Sequence, residues 1–296
     1  MAFKKAEREK LWVKVLLTGP SGSGKSYSAL RLATGLAKAC GSRIAAVDTE
    51  NGRIRYYADE FDFDDMQIAD PFTPEKFVEA IDDAVEGGYK VLILDSSSAE
   101  WKYLNEVHDK MPGNSFTNWG KLKPRHAVFM DRILEAPIHI IVTARGKDEY
   151  VLEEKNGKQQ PKKIGMGAQQ EKDIEYNYTV TFNLHQDTNV AECQKDNTHL
   201  FEGRYDKLTE ADGLALYNWA NKGKEAEARA IHTTGIVESD IYTDIKNEIN
   251  ALIAKGIDKT AVTAKVKEKL GVANYNKIDD KALLEELLAE LKVMEG

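Results

Sequence analysis

Short apolar runs alternate with longer helical patterns between Trp12 and about Ala144. The runs are rich in β-branched residues, as buried strands are, while the longer segments carry apolar residues at the spacing of a helix face. Strands are predicted at 13–18, 43–49, 89–95 and 138–144, with a shorter candidate at 66–69. Helices are predicted at 26–39, 74–86, 99–110 and 120–135. This alternation predicts an α/β fold in which helices cover both faces of a mostly parallel sheet.

The pattern becomes more polar after Arg145. Within 146–169, Asn156-Gly157 separates two polar extended runs and predicts a hairpin turn. Alternating apolar and polar residues then predict strands at 176–184 and 189–195, followed by a short helix at 209–220. We expect these strands to extend the first sheet as an antiparallel addition.

The chain is predicted to contain two domains. We expect an α/β core over 1–222, a small and polar linker over 223–237, and a small helical domain over 238–296. Two apolar runs at helical spacing support the helical domain, one starting at Ile241 and the other at Leu283. This last segment holds 9 Lys against 12 Asp and Glu, a net charge of −3.

Composition narrows the function only slightly. The 296 residues include 41 Lys and Arg against 49 Asp and Glu, a net charge of −8. This balance argues against an indiscriminate coat of positive charge but leaves a local basic groove possible. Cys40 and Cys193 give neither a disulfide framework nor metal-ligand spacing. With no secretory signal and no apolar run long enough for a bilayer, we expect a cytoplasmic protein without a membrane partner.

The most specific motif is GPSGSGKS at 19–26, which matches G-x-x-x-x-G-K-[ST] between a predicted strand and a predicted helix. Its glycines allow the backbone N–H groups to face phosphate oxygens, Lys25 reaches the β- and γ-phosphates, and the Ser26 hydroxyl ligates Mg²⁺. The alternative is a Gly/Ser-rich turn that binds nothing, which the flanking elements disfavour. We expect ATP and Mg²⁺ at Gly19, Pro20, Ser21, Gly22, Ser23, Gly24, Lys25, Ser26 and Tyr27, with Lys25 also catalytic.

Two carboxylates follow predicted strands. Asp95 ends an apolar strand and suits a magnesium site shared with Ser26; the alternative is that it caps the helix that starts near Ser98. Glu50 ends the run VDTE and suits the polarisation of an attacking water. The alternative for Glu50 is an ion pair with one of the arginines that follow it, Arg53 or Arg55.

The order of these motifs resembles the RecA-type ATPases, and most of all the phage RecA-like annealing proteins of the Sak superfamily. The resemblance covers roughly 12–222. The segments that carry it are GPSGSGKS, VDTENG, VLILDSSS, HIIVTARGKDEYV, GAQQEKDIEYNYTVTFNL, AECQKDNTHLFEG and LTEADGLALYNWA. It implies a RecA-like P-loop NTPase core with an antiparallel extension.

The resemblance also implies roles for individual residues. Glu50 would activate water and Asp95 would hold Mg²⁺, while Thr143 and Arg145 would sense the γ-phosphate, joined by Gln170. Lys195 lies where RecA-type filaments send a catalytic lysine across the subunit boundary to the neighbour's γ-phosphate. The family pattern there is close to K-D-R-T, and Asn197 in this chain replaces its arginine, which removes one cationic candidate.

The excursion at 146–169 falls where RecA-like proteins carry a DNA-contacting loop. Its segment 155–163 has four lysines and no acid. An exposed hairpin with solubilising lysines is the alternative, which composition alone would favour. The resemblance favours contacts to the backbone of single-stranded DNA by Lys155, Lys158, Lys162 and Lys163.

The sequence therefore predicts an ATPase, stimulated by DNA, that binds single-stranded DNA and promotes annealing or strand exchange. We expect a homo-oligomer, ring or filament, with ATP at subunit interfaces, in the host cytoplasm if a phage encodes it. The helical domain could contact DNA, a single-strand-binding protein or a neighbouring subunit. The alternatives are another P-loop DNA motor, such as a helicase or packaging ATPase, and a nucleotide-gated scaffold protein.

Aromatic and histidine residues give weaker signals. Trp101, Tyr103, Phe116 and Trp119 lie after the Asp95 strand, where bases could stack, but helix packing is the preferred interpretation. His139 lies inside an apolar strand and is predicted to be a hydrogen-bonded core residue.

Overall fold

The structure is a computed structural model, and it describes residues 3, 5–155, 158–171, 174–225, 249 and 281–295. The chain divides into two compact units, Met1–Ile231 and His232–Gly296. The point of division falls inside the predicted linker, while the predicted domain boundaries themselves stay a prediction.

The first unit is built on one sheet. Its strands are β1 (Lys14–Gly19), β2 (Ile44–Asp48), β3 (Asp64–Gln67), β4 (Val91–Asp95), β5 (His139–Lys155), β6 (Lys158–Ala168), β7 (Val180–Leu184), β8 (Ala191–Asp196) and β9 (Tyr205–Asp206). Its helices are α1 (Lys25–Cys40), α2 (Pro74–Glu86), α3 (Ser98–Lys110), α4 (Ser115–Glu135) and α5 (Glu210–Ala220), with 3₁₀ turns at Arg53–Tyr57 and Ile174–Asn177.

The strand order is β3-β2-β4-β5-β1-β7-β8-β9, and β6 pairs with the outer part of β5. Strands β3, β2, β4, β5, β1 and β7 run parallel, whereas β8 and β9 add antiparallel pairs. The predicted fold class, an α/β sheet that is mostly parallel with an antiparallel extension, is confirmed. Parallel order brings the carboxyl ends of β1, β2 and β4 to one edge, level with Arg145 of β5, and ligands of open α/β sheets bind at this edge.

The centre of the sheet is apolar because its strands are covered on both faces. Every residue of β1 and β4 is buried. Helix α1 lies on the sheet and crosses α5 so closely that a β-carbon on Gly35 would stand 2.0 Å from the Glu210 carbonyl oxygen. His139 is buried and accepts a hydrogen bond at Nδ1 from the Val13 N–H at 3.1 Å. The prediction of a hydrogen-bonded core histidine is confirmed.

Helix α4 begins earlier than the pattern predicts, at Ser115 rather than at residue 120. Asn114 is its N-cap, and the side-chain oxygen of Asn114 accepts a hydrogen bond from the Phe116 N–H at 2.8 Å. The cap therefore recruits a first turn that lacks the apolar periodicity of the rest of the helix.

Two strand predictions are also displaced. The strand predicted at 176–184 begins only at Val180, because the preceding residues form a 3₁₀ turn. The short strand predicted at 66–69 lies at Asp64–Gln67, and all of its residues are exposed at the edge of the sheet. An exposed edge strand does not need an apolar pattern, which is why hydrophobicity placed it imprecisely.

The second unit is described at Ile249 and along one helix, α6 (Lys281–Glu295). Helix α6 contains the predicted apolar run, and Leu284, Leu287 and Leu291 are buried at the spacing of one helix face. Among the described residues, no helix combines the length and apolar character needed to cross a bilayer.

Candidate nucleotide site

The candidate site lies where β1 and β4 end, beside Thr143 and Arg145 of β5 and the start of α1. In the strand register, Gly19 at the end of β1 is opposite Arg145 of β5. The loop between β1 and α1 turns through two glycines in the left-handed region, Gly22 and Gly24, each with φ of +81°. Because most side chains avoid this region, the sequence needs glycine at these positions to bring the chain directly from strand to helix.

Lys25 folds back over this loop. Its ammonium group donates to the carbonyl oxygens of Gly19 at 2.9 Å and Pro20 at 2.8 Å. Burial lowers the pKa of Lys25, although the charges of Asp95 and Glu50 oppose this shift. The lysine is therefore held inside the loop, next to the N-terminus of α1, where a polyphosphate is favoured by both the charge and the helix dipole.

Asp95 accepts hydrogen bonds from two hydroxyl groups. Ser26 Oγ donates to Asp95 Oδ2 at 2.5 Å, and Thr143 Oγ1 donates to Oδ1. Burial raises the pKa of Asp95, against the two hydrogen bonds, which lower it. The capping alternative does not hold, since Ser97 occupies the N-cap of α3 and both oxygens of Asp95 bind elsewhere.

This donor set fits Mg²⁺. The ion takes oxygen ligands, and in nucleotide sites it is held by few protein groups together with phosphate oxygens. Asp95 and Ser26 supply a carboxylate and a hydroxyl beside the loop, and Ser23 adds a buried hydroxyl without a hydrogen-bond partner. Among the described residues there is no group of three or more His, Cys, Asp or Glu side chains that could bind a metal.

Glu50 lies between two arginines. Its Oε1 accepts from Arg145 at 2.6 Å and its Oε2 accepts from Arg53 at 2.8 Å. Partial burial acts to raise the pKa of Glu50, but the arginine hydrogen bonds outweigh it and hold the pKa below its ordinary value. Glu50 is thus an anion, as a group that polarises water must be. Of the two arginines considered as ion-pair partners of Glu50, Arg53 does pair with it, whereas Arg55 binds Asp65 at 2.8 Å.

The neighbouring Asp48 has a different task. Its Oδ1 accepts from the Glu50 N–H at 2.5 Å and its Oδ2 from the Ile54 N–H at 3.5 Å. Asp48 is buried and closes the turn that follows β2, so that Glu50 projects toward β5. Of the two carboxylates in the sequence DTE, Asp48 therefore forms the turn and Glu50 lies in the site.

The three predicted γ-phosphate residues surround the turn after β4. Besides the Thr143 bond to Asp95, the Arg145 N–H donates to Ser98 Oγ at 2.9 Å. Gln170 is buried and its Nε2 donates to the Ser97 carbonyl at 2.8 Å. The structure thus brings Thr143, Arg145 and Gln170 to the same turn, and their roles toward a nucleotide stay a prediction.

Two predicted site residues point elsewhere. Tyr27 packs edge-on against Tyr57 and Phe61. Its hydroxyl bonds to Glu60 at 3.0 Å. Lys195, on β8, donates to the carbonyls of Tyr176 and Tyr178, both at 2.5 Å. Burial lowers the pKa of Lys195. Within one subunit, therefore, the bonds of Lys195 go to the β7 side of the sheet, and its role across a subunit boundary stays a prediction.

The comparison with known families decides the class of this site. A family model described as an AAA domain matches residues 12–207, more than half of the 296 residues. The chain belongs to this AAA domain family. The match includes the phosphate loop, Glu50, Asp95 and Lys195, and it makes the protein an AAA-type P-loop ATPase, which implies the use of a nucleotide and of Mg²⁺.

Two further comparisons add little to the AAA assignment. Among solved structures, a KaiC-like protein from the hyperthermophilic archaeon Pyrococcus horikoshii OT3 matches with a TM-score of 0.36 and 16% identity, covering 62% of this chain and 79% of that chain. No curated protein matches the sequence.

The aromatic residues after β4 pack the helices of the AAA domain. Trp101 and Trp119 stack with ring centroids 5.4 Å apart, and Trp119 also stacks on His108 at 4.5 Å. Phe116 is exposed and Tyr103 faces the guanidinium of Arg125 at 6.0 Å. Helix packing therefore accounts for three of the four predicted aromatics, as the preferred interpretation has it.

Four residues of the AAA domain that touch the site from other parts of the chain are not indicated by its motifs. Ser97 and Ser98 bind Gln170 and Arg145, and the run DSSS was a signal that could have singled them out. Gln186 and Asn189 bind the backbone of the phosphate loop from more than 160 residues away. No local pattern marks these two, because their role depends on the pairing of β7 with β1.

Proposed function

We propose that this AAA domain protein is an ATP-dependent recombinase that binds single-stranded DNA and promotes annealing or strand exchange, as the phage RecA-like annealing proteins of the Sak superfamily do. The observation that carries the proposal is a long hairpin whose two roots both lie in the nucleotide site. Strand β5 leaves the site at Arg145, and β6 returns the chain to Gln170.

The hairpin extends the central strand of the sheet. Its register runs from Gly146 opposite Ala168 to Lys155 opposite Lys158, and its base is tied by the Gln169 N–H bond to the Arg145 carbonyl at 2.6 Å. The predicted turn, Asn156-Gly157, lies outside the described residues. At ~3.3 Å per residue, the ladder is about 30 Å long. A ligand along it would bind far from the phosphate loop but on the same strand as Thr143.

Charge is distributed unevenly along the hairpin. Lys155 and Lys158 are paired at the far end of the ladder, while Lys162 and Lys163 are opposite Val151 and Tyr150. The acidic residues of the hairpin all lie on β5, at 148, 149, 153 and 154. The distal half of β6 is thus basic, which suits a chain of phosphates and supports contact with a nucleic-acid backbone.

The residues of the site suit hydrolysis coupled to this hairpin. Bound Mg-ATP supplies a phosphoanhydride that can be cleaved by water. Glu50 holds negative charge where it can polarise that water, and Arg145 and Lys25 hold positive charge for phosphate oxygens. Arg145 directly precedes the hairpin, so a change in the contacts of its guanidinium would change the position of the hairpin.

Assembly completes the proposal. Lys195 would reach the nucleotide of a neighbouring subunit in a ring or filament, exchanging its bonds to the Tyr176 and Tyr178 carbonyls for phosphate oxygens. Hydrolysis would then depend on oligomerisation. The net charge of −3 on the helical domain favours a protein partner there, either a neighbouring subunit or a single-strand-binding protein.

The test is the rate of ATP hydrolysis with and without single-stranded DNA, measured over a range of salt concentrations. We expect stimulation at low salt that fades as salt rises. Replacing Lys155, Lys158, Lys162 and Lys163 by Gln should lower the salt slope of DNA binding by up to about 3, at ~0.7 per phosphate contact.

A matched control variant distinguishes an effect of the hairpin lysines from an effect of the protein's total charge. Replacing four exposed lysines elsewhere, Lys38, Lys102, Lys121 and Lys207, changes the net charge equally and should leave the slope near that of the native protein. Equal slopes in the two variants would exclude the hairpin as the DNA path. No stimulation by DNA at low salt would favour the scaffold alternative, and directional unwinding of a duplex would favour a helicase.

A further inference from the structure

The turn between β7 and β8, residues 185–190, packs against the outer side of the phosphate loop. Gln186 Nε2 donates to the Ser21 carbonyl at 3.0 Å, and Asn189 Nδ2 donates to the Gly22 carbonyl at 3.3 Å. Both acceptors are backbone groups of the loop itself. The loop is therefore supported by two amide side chains that the nucleotide motif does not contain.

The glycines of the loop face this turn and the end of β7. A β-carbon on Gly19 would stand 2.6 Å from the Leu184 carbonyl oxygen, and one on Gly24 would stand 3.2 Å from Asn189 Nδ2. A β-carbon on Gly22 would reach Gln186 Nε2 at 3.8 Å. Gly19 and Gly24 thus permit the close approach of β7 and of the turn that follows it, whereas a β-carbon on Gly22 would make an ordinary contact there.

The turn is itself well fixed. Asn189 adopts φ of +54°, its N–H donates to the His185 carbonyl at 2.9 Å, and the His185 N–H donates to the Val190 carbonyl at 2.9 Å. Strand β7 pairs with β1 directly before the loop, with Thr18 opposite Asn183. The turn and the loop are therefore anchored to adjacent strands of one sheet.

Peptide geometry connects this support to nucleotide binding. In a trans peptide the C=O and the following N–H point in opposite directions. When the carbonyls of Ser21 and Gly22 are held toward the turn, the N–H groups of Gly22 and Ser23 point away from it. The Ser23 N–H donates to the Pro20 carbonyl at 3.3 Å and closes the loop, while the Gly22 N–H is a donor of the kind that such loops offer to phosphate. The amide bonds of Gln186 and Asn189 therefore preorganise one donor and the loop that presents it.

We propose that Gln186 and Asn189 are positioning residues that hold the phosphate loop in the conformation that binds nucleotide. The inference rests on the nucleotide site of the proposed function but not on DNA binding. It assigns to the β7–β8 turn a contribution to nucleotide affinity and none to the chemical step.

Two substitutions isolate the amide groups. Asn189→Gly removes the amide while keeping a residue that tolerates positive φ, and Gln186→Ala removes an exposed side chain. Each should raise the Kd for ADP and for ATP about 3- to 10-fold, the worth of one hydrogen bond. The kcat at saturating ATP should stay within ~2-fold of the native value, because the substitutions weaken binding of the ground state and of the transition state equally.

A third substitution reverses the polarity. Asn189→Asp keeps the shape but places a carboxylate opposite the Gly22 carbonyl and near the phosphates. It should weaken nucleotide binding more than Asn189→Gly does. The matched control is His199→Gly, an exposed residue with φ of +60° in the turn after β8, which should leave nucleotide affinity unchanged.

Calorimetric titration with ADP measures the affinities without DNA or turnover, and thermal unfolding without nucleotide measures stability. Kd values equal to the native value would overturn the inference and leave the proposed function standing. So would a fall in kcat at unchanged Kd, or a loss of nucleotide-free stability large enough to explain the weaker binding. A native protein that binds ADP but is not stimulated by DNA would instead contradict only the proposed function.

Discussion

Replacing Glu50 by Gln tests the chemistry of the site most directly. The amide has the shape of the carboxylate and keeps an oxygen for Arg145 or Arg53, but it lacks the negative charge that, in the proposed function, polarises water. We expect turnover at saturating ATP to fall by ~10²–10⁴, the usual contribution of a general base. The corresponding barrier increase is about 3–5 kcal/mol.

The same substitution should affect binding and folding far less. Glu50 accepts three charge-assisted hydrogen bonds from two arginines at a partly exposed position, so exchanging them for weaker amide bonds should cost about 1 kcal/mol of unfolding free energy. Removing a negative charge beside the phosphates should leave ATP binding equal or slightly tighter. Loss of turnover with retained affinity is the signature of a residue that acts in the transition state.

The assay is steady-state ATP hydrolysis together with calorimetric binding of ATP and ADP. The control is Asp65→Asn, which breaks a comparable ion pair, with Arg55 at 2.8 Å, on the edge strand β3. Its turnover should match that of the native protein. If Glu50→Gln hydrolysed ATP at the native rate, Glu50 would be no more than a partner of its arginines.

Two further predictions concern the fold. Gly35→Ala should lower the free energy of unfolding by about 1–3 kcal/mol, because its β-carbon would stand 2.0 Å from the Glu210 carbonyl, whereas Gly120→Ala in α4, with no atom within 4 Å, should raise it by ~0.5–1 kcal/mol. A chemical-denaturation series measures both, and equal effects would refute the close α1–α5 contact. Burial, with a smaller contribution from the charge of Lys14, lowers the pKa of His139 to about 3, below the ~6.5 of an unfolded chain. The neutral His139 therefore stabilises the folded protein fully above pH ~6.5, and this contribution is lost as pH falls toward 3. Urea unfolding between pH ~6.5 and ~5 should show about 2 kcal/mol of lost stability that His139→Gln does not share, and the same pH slope in both proteins would contradict this.

Much of the nucleotide site was predictable because its parts are local. An apolar run followed by a glycine-rich motif indicates a strand, a loop and a helix, and parallel order then brings other strand ends to the same edge. Asp95 and Thr143 could be placed together in this way before any contact was known. The convergence of Arg145 and Glu50 followed from the same geometry, although the ion pair between them did not.

The features that escaped prediction depend on tertiary contacts or on caps. Hydrophobic periodicity did not indicate the first turn of α4, which Asn114 caps, or the 3₁₀ turn closed by Asp48. Neither could it indicate Gln186 and Asn189, whose polar side chains look like those of any exposed turn. Their partners are backbone carbonyls, which every residue has, so the sequence holds no complementary side chain to search for.

Strand β5 shows how the parts of the site are connected. Side chains two residues apart lie on one face of a strand, and on β5 these are Thr143, which binds Asp95, and Arg145, which binds Glu50. The strand then continues without interruption into the hairpin. Phosphate oxygens would compete with Glu50 for the Arg145 guanidinium, and loss of Arg145 would free Oε1 of Glu50 to polarise water while Arg53 still holds Oε2. A rearrangement of that ion pair therefore acts on the residue from which the hairpin begins, which gives the proposed coupling between nucleotide and DNA a physical route through a single strand.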